Sequence, residues 1–545
     1  KNEIEEIKTD MIQVHRYAFE YAKNIGFSLG MEEVLGDYRK FINYQSSLLK
    51  ISEQDINRLV NETYKIEKLG IFALLSDKSK IQFQPLMEKV LERSQTASIS
   101  GSSLTWDAHK KQEEKKYEDY RSTYLNSGVK LLLKKVVGKP TVGISAAFKT
   151  SQLNEHPDNR GINYLTSILF LYGNDKRTYN QLIEFCSQLG ILISVSASDE
   201  VTLIKIKCFS ESLITGLQLL ADIVTTPLFP HEHFLNIKKT LISNIDRMKD
   251  YPNQYATYLW KKQVFGNQSN LLDREGTKTT IRNLTRKKII NWYYDHYKLP
   301  EMVLSIVGDF SFEVIIRSCN KIFRQVADTS SANRTAKIIA AQPLITEDKV
   351  NHWPNYFIHS QPKKYKKNVI PANIGGIVHV GGYCSPSIAT KKNTAFQVLG
   401  QILGGDINSR LYTELREKRG LAYNVGFATN TLHDLGYYAA YAIVDKKTTN
   451  ETIHLIINSF QEIISDGVGE EELIVAKNGI RGQRLLAEES VSSQANTLAT
   501  LDCLGYDYDF YLKREERLQN ITCEDIQHVA AEFLQKDKLY IHILV

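Results

Sequence analysis

A chain that repeats itself at a domain-sized interval is constrained to fold as a series of like units, and this sequence does so. Three segments share one layout, a short Ser/Thr-led amphipathic helix followed by a strand. They are 51–56 leading to 69–75, 284–289 leading to 303–307, and 521–526 leading to 539–544. Ser52, Thr285 and Thr522 each offer the side-chain oxygen that an N-cap needs, and apolar residues follow at helical spacing. The offsets, 233 and 237 residues, are those of duplicated domains and not of solenoid units.

The earlier parts of the unit occur only twice. Segments 142–148 and 376–382 read as core strands, each entering a helix at 162–170 or 394–402. Helices over 181–189 and 410–418 follow, stopped by Gly190 and Gly420. Strand pairs come next, then long amphipathic helices at 213–223 and 453–464, and a second long helix after Pro230 or Gly469. Strands and helices alternating on this scale predict an α+β fold of tandem homologous repeats, each one sheet covered by helices.

Two complete units are expected, 123–335 and 336–545, preceded by the C-terminal part of a third at 1–77. Half a unit cannot bury its own helix faces, so a further N-terminal portion is expected. The polar stretch 78–122, Ser/Thr/Gly-rich at 95–105 and Lys/Glu-rich at 109–121, reads as an interdomain linker.

Composition narrows the function classes. At 545 residues the chain exceeds a single core, and 42% apolar with 24% charged residues is ordinary globular protein. The net charge of +6 is small; the basic cluster 363–367 is offset by acidic runs such as 470–472 and reads as a solvated loop, so no nucleic-acid partner is expected. The six cysteines are scattered, without CxxC, and read as small buried apolar residues. No apolar run approaches the ~18 residues of a membrane span, and no signal-peptide pattern opens the chain. The compartment stays open.

The most informative motif runs Gly404-Gly405-Asp406-Ile407-Asn408-Ser409-Arg410-Leu411-Tyr412 and on through Glu414-Leu415-Arg416-Glu417-Lys418-Arg419-Gly420-Leu421-Ala422-Tyr423. It resembles the signature of the non-catalytic repeats in the pitrilysin/insulinase family of zinc metallopeptidases. Further matches fall at 476–483, 488–493 and 521–533, and in the middle unit at 128–131, 159–170 and 302–309. The resemblance covers essentially the whole chain except the linker. It implies domains of the mitochondrial-processing-peptidase-like, or pitrilysin-like, kind.

That family's chemistry rests on an inverted zinc motif, His-x-x-Glu-His, on a helix of the first repeat. Two histidines and a distal Glu bind zinc, and the motif Glu is the general base. The matching helix of the middle unit reads Tyr164-Leu165-Thr166-Ser167-Ile168, and Asn244 stands at or near the distal ligand. Tyr164, Ser167, Ile168 and Asn244 supply neither a ligand set nor a base, so this unit is expected to be catalytically dead and to bind no metal. Zinc is expected in the N-terminal portion or in a partner chain. The only dense His/acid cluster, His231-Glu232-His233, opens a helix after Pro230; its two rings splay, and no distal ligand is evident. The other eleven histidines read as isolated structural or surface residues.

In the last unit, Arg416 lies near the end of a helix closed by Gly420, and Tyr423 begins the next strand. Spacing alone favours a plain structural role, in which Arg416 caps its helix or pairs with Glu414 or Glu417 and Tyr423 is core. The resemblance implies that Arg416 donates to substrate carbonyls and Tyr423 donates near the scissile carbonyl, across a closed chamber. Phe427, Thr429 and Asn430 are weaker candidates for chamber lining. The expectation is thus the substrate-binding C-terminal portion of a chamber-forming zinc peptidase, inert without its zinc-bearing N-terminal portion, whether that is the same polypeptide or a separate chain. Its substrates would be peptides, bound partly as an added strand. The rival reading is a non-catalytic binding or structural subunit beside an active partner. An independent enzyme lacks support: there is no Ser–His–Asp arrangement, Walker loop or Rossmann fingerprint.

Overall fold

The computed structural model describes residues 2–63, 118–266, 272, 274–330, 366–371, 375–384, 387–432 and 436–545. The expected strand at 69–75, most of the expected linker 78–122, and residues 336–365 lie outside the described residues.

The first helix, α1 (Asn2–Ala18), packs against the helix Tyr179–Leu189, and Tyr17 donates its hydroxyl to the Gly190 carbonyl at 2.6 Å, beside a six-stranded sheet. That sheet contains β1 (Tyr120–Tyr124), β2 (Lys130–Lys135), β3 (Thr141–Phe148), β4 (Leu192–Ala197), β5 (Thr202–Phe209) and β6 (Val303–Gly308), in the order β1-β2-β6-β3-β5-β4. Its helices include α2 (Ile162–Leu169), α3 (Tyr179–Leu189), α4 (Leu213–Thr225), α5 (His231–Arg247), α6 (Pro252–Phe265) and α7 (Arg286–His296). Val142, Ile144, Ala146 and Phe148 point from β3 into a core that includes Leu165 and Leu169 of α2 and Leu217 and Leu220 of α4.

The second sheet has five strands: β7 (Lys366–Ile370), β8 (Gly376–Cys384), β9 (Ala422–Thr431), β10 (Gly436–Val444) and β11 (Tyr540–Leu544), in the order β9-β10-β8-β11-β7. Its helices are α8 (Lys391–Gly404), α9 (Thr449–Asp466), α10 (Glu470–Glu488), α11 (Val491–Cys503) and α12 (Cys523–Phe533). Leaving β1 aside, the two sheets share one topology. In each, the first and last strands run parallel side by side, β2 with β6 and β7 with β11, and the remaining neighbours are antiparallel. The α+β architecture of tandem repeats read from the sequence is the one observed.

Local signals act as physical chemistry requires. Ser52 and Thr522 each accept the backbone N–H three residues on, and Asp55 and Asp525 answer with bonds of 3.0 and 2.9 Å from the cap's own N–H. Thr285 caps α7 by accepting from the Lys288 N–H. Gly190 and Gly420 close their helices with φ of +62° and +61°. One expected helix differs. Residues 410–418 form a single helical turn, Arg410–Tyr412, that widens into a π-helix at Thr413–Lys418.

The two units exchange helices. Helix α11 lies across β3 and β6 of the first sheet, burying Val491, Ala495, Leu498 and Ala499 against Leu132, Ala147, Val303 and Val307. Helix α6 lies across β8 and β11 of the second sheet, with Ala256 against Ile377 and Leu544, and Trp260 against Ala439 and Tyr540. The two helices occupy matching places in the repeat. Polar bonds border the first seam: Lys130 Nζ meets Asp502 at 2.7 Å, and Lys134 Nζ donates to Gln494 Oε1 at 2.8 Å. Glu20, 2% exposed, joins three parts of the fold, contacting Lys207 of β5 and accepting the Val491 N–H at the N-terminus of α11 at 3.0 Å.

Candidate functional site

At the place of the expected degenerate motif, α2 is built for packing and internal hydrogen bonding. Ser167 is buried and donates its hydroxyl to its own helix, at the Tyr164 carbonyl, 2.7 Å away. Ile168 packs against the first core. The Tyr164 ring faces the Arg274 guanidinium at 5.3 Å, and burial, then the nearby Glu275 carboxylate, raises its pKa. Asn244 is exposed on α5 and borders a polar cleft of about 530 Å³ together with Asp199, Arg247, Arg274 and Glu275.

These residues do not fit zinc. A phenol, a hydroxyl already donated, an alkyl group and a neutral amide provide no imidazole, thiolate or carboxylate to hold the ion. Among the described residues no three His, Cys, Asp or Glu side chains gather as metal ligands. His231 and His233 diverge: His233 packs against the rings of Tyr172 and Tyr179 at 4.8 and 5.3 Å, and His231 tilts toward Phe234.

Beside Tyr164 lies a buried polar network that sequence reasoning did not single out. Asn163 accepts from Tyr297 at 2.7 Å and from Trp292 at 3.3 Å, and donates to Thr202 at 3.0 Å. Glu155, 1% exposed, accepts the Gly161 and Asn163 N–H groups at 2.8 Å each. Burial outweighs those bonds and pushes its pKa up to about 8. The network anchors the turn that enters α2.

Arg416 and Tyr423 do come together, on the surface of the second unit. Arg416 Nη1 donates to the Tyr423 carbonyl at 2.6 Å. Its guanidinium stands 5.2 Å from the Tyr412 ring and 5.7 Å from that of Tyr423. The left-handed Gly420 reverses the chain between them, and a bulge between Ala422 and Asn424 breaks the strand's alternation. The Tyr423 side chain is thereby ejected and stands 81% exposed.

Of the weaker candidates, Phe427 is core. It packs against Phe396, Tyr438 and Phe460, because after the bulge the odd positions of β9 face α8. Thr429 points to the same side, where its methyl lies over Gly400. Asn430 reaches across the seam and donates to Asp199 at 2.8 Å.

The histidines depart from expectation. His379 of β8 and His542 of β11 are cross-strand partners, 5% and 0% exposed, and lie beneath α6. His379 Nε2 is 3.3 Å from the Thr257 hydroxyl; its Nδ1 and both nitrogens of His542 have no hydrogen-bond partner among the described residues. Burial lowers both pKa values, to about 3 for His379, where His542 adds to the effect, and to about 4 for His542.

With this geometry in view, the chain was compared with known proteins. Residues 130–274 match the family model described as insulinase (peptidase family M16), and residues 283–480 match the one described as peptidase M16 inactive domain. The chain belongs to the M16 family. An uncharacterized zinc protease from Rickettsia felis is 23% identical over 423 residues, 76% of this chain and 94% of that protein. A protease from Helicobacter pylori has a similar fold, with a TM-score of 0.69 at 17% identity over 78% of this chain and 99% of the other. The periplasmic protease PqqL from Escherichia coli gives a TM-score of 0.64 at 15% identity, over 85% of this chain but 50% of its own. Within this M16 chain no described helix is long and apolar enough to cross a membrane.

Proposed function

We propose that this M16 chain is the substrate-binding, non-catalytic portion of a chamber-forming zinc metallopeptidase that degrades peptides. The observation that carries the reading is the contrast between its two family positions. Where the zinc motif would lie, Ser167 is tied to its own helix and Ile168 is packed; where a substrate-binding pair would lie, Arg416 and Tyr423 are held together and exposed. Arg416 supplies a guanidinium donor to peptide carbonyls, and Tyr423 a phenolic donor near the scissile carbonyl.

Zinc and general base would come from an N-terminal zinc-bearing half, on the same polypeptide or on a separate chain. Two features support a larger assembly: the capping pattern shared by Ser52/Asp55 and Thr522/Asp525, and the coverage of PqqL to half its length. In this reading 1–77 is the C-terminal part of a preceding repeat, 78–122 the linker, 123–335 the zinc-less unit and 336–545 the unit with the Arg/Tyr pair.

The test is peptide hydrolysis with zinc supplied, by this chain alone and after addition of a zinc-bearing M16 half. Turnover only in the mixture, crippled by Arg416→Ala or Tyr423→Phe, is the expected result. Chelator-sensitive cleavage by the chain alone would sink the proposal, and silence in both mixtures transfers support to a binding or structural subunit.

A further inference from the structure

The two units are joined at seams of one design. Helix α11 lies across β3 and β6, where Ser145 pairs with Ser305; α6 lies across β8 and β11, where His379 pairs with His542 at the corresponding place. In the first seam the close approach comes from the strand side: a Cβ on Gly143 would lie 2.6 Å from the Ser492 Cα.

A further helix, Ala22–Val34, matches α6 and α11 in register. At one interval from the first helical residue, Ala22, Pro252 or Val491, each chain turns on a glycine of positive φ that follows an apolar residue. These are Leu35-Gly36, Phe265-Gly266 and Leu504-Gly505, with φ of +128°, +77° and +91°. The register sets Gly26 with Ala256 and Ala495, Leu29 with Leu259 and Leu498, and Gly30 with Trp260 and Ala499. In α6 and α11 these positions pack onto the neighbouring unit's sheet. In the helix Ala22–Val34 no residue is buried: Ala22, Gly26 and Gly30 are exposed, and a Cβ on either glycine would meet nothing within 4 Å. Phe27, Met31 and Val34 stand exposed beside them. Interior glycines weaken a helix left in water, and apolar side chains there gain nothing; on a sheet, the first permit close approach and the second are buried. The base of this helix is fixed, since Arg16 pairs with Glu211 at 2.9 Å and Glu20 accepts the Val491 N–H at the start of α11.

We infer that Ala22–Val34 is itself a crossing helix, which docks through Ala22, Gly26, Leu29 and Gly30 on the central strands of a further M16 unit. That unit is the zinc-bearing one of the reading above, on which this inference rests. A second copy of this chain offers no such surface, because α11 and α6 already cover both of its sheets. The surface required is an apolar sheet face like the one beneath α11, built there from Leu132, Ala147, Val303 and Val307. With the glycines on the helix instead of the strand, that face has room for larger central side chains than Ser145 and Ser305.

The test is sedimentation velocity of the whole chain mixed with the zinc-bearing M16 half encoded in the same genome, expressed separately as the probe, with amide hydrogen exchange on the same mixture. A complex is expected, with exchange over 22–34 slowed at least about tenfold. Gly26→Trp/Gly30→Trp meets open space in the free chain, so its thermal transition should stay in place while association weakens at least about tenfold. Gln54→Trp should leave association unchanged, since its counterpart Glu524 is exposed in the complete unit. A complex of parental strength in the double variant, with 22–34 exchanging freely, overturns the docking helix and leaves the two-half reading standing. Self-association of the chain alone, lost in the double variant, assigns the face to a second copy and overturns the inference too. If the half forms no complex and slows no amide, the docking and the two-half reading fall together.

Discussion

Two exposed side chains and one buried carboxylate carry the residue-scale expectations. Because Arg416 and Tyr423 stand on the surface, their replacement should hardly touch folding. Arg416→Ala and Tyr423→Phe are expected within about 0.5 kcal/mol of the parent in urea denaturation. In the reconstituted peptidase, loss of an oxyanion-type donor should lower kcat by roughly a hundredfold. Glu155 is the opposite case. Its pKa rises from about 4.5 to about 8 on folding, so the folded state binds more protons between those values, and stability must fall as pH rises through that window. Urea midpoints of the parent, compared with Glu155→Gln from pH 5 to 9, should show this extra decline in the parent alone. Much at this scale was legible in the sequence: the caps at Ser52, Thr285 and Thr522, the stop glycines, and the loss of ligands at Tyr164, Ser167 and Ile168 are all local chemistry. The burial of Phe427 was not, because a one-residue bulge in β9 reverses the face of every position after it.

At the scale of elements, two glycines separate close packing from backbone conformation. Gly143 sits in an extended strand, and what forbids a side chain there is the α11 backbone at 2.6 Å. Gly143→Val should cost about 1–3 kcal/mol through overpacking. Gly420 has open space around it and a φ of +61°, so Gly420→Ala carries backbone strain alone, about 1–2 kcal/mol, and Gly420→Asn less. Thermal denaturation of the three variants distinguishes the mechanisms, since Gly420→Asn should recover part of the Gly420→Ala loss, whereas the Gly143→Val loss should persist in a Ser492→Gly background because the contact is with main-chain atoms. Individual strands and helices could be read from alternation and helical spacing. The π-turn at Thr413–Lys418 could not, because nothing in the spacing of its apolar residues marks the change from i→i+4 to i→i+5 bonding.

For the whole molecule, the decisive arrangement is the crossing of α6 and α11 onto each other's sheets, which no periodicity within either segment reveals. The His379/His542 pair was missed for the same reason: two isolated histidines far apart in sequence become neighbours only when β8 and β11 pair. Folding lowers both pKa values from about 6.5, so the unfolded chain takes up protons first as pH falls. The stability these neutral rings permit is fully present above pH 6.5 and is lost as pH drops toward 4 and 3. Acid unfolding, followed by the circular dichroism of the aromatic residues, should therefore shift to lower pH in the double variant His379→Ser/His542→Ser, which copies the serine pair of the first sheet.

The crossed helices also set terms for heredity. Residues 143 and 492 meet although they are 349 positions apart, and because 143 faces the main chain of α11, no substitution at 492 makes room for a side chain there. At such contacts the two units can no longer diverge independently, since the small residue of one is held by the main chain of the other.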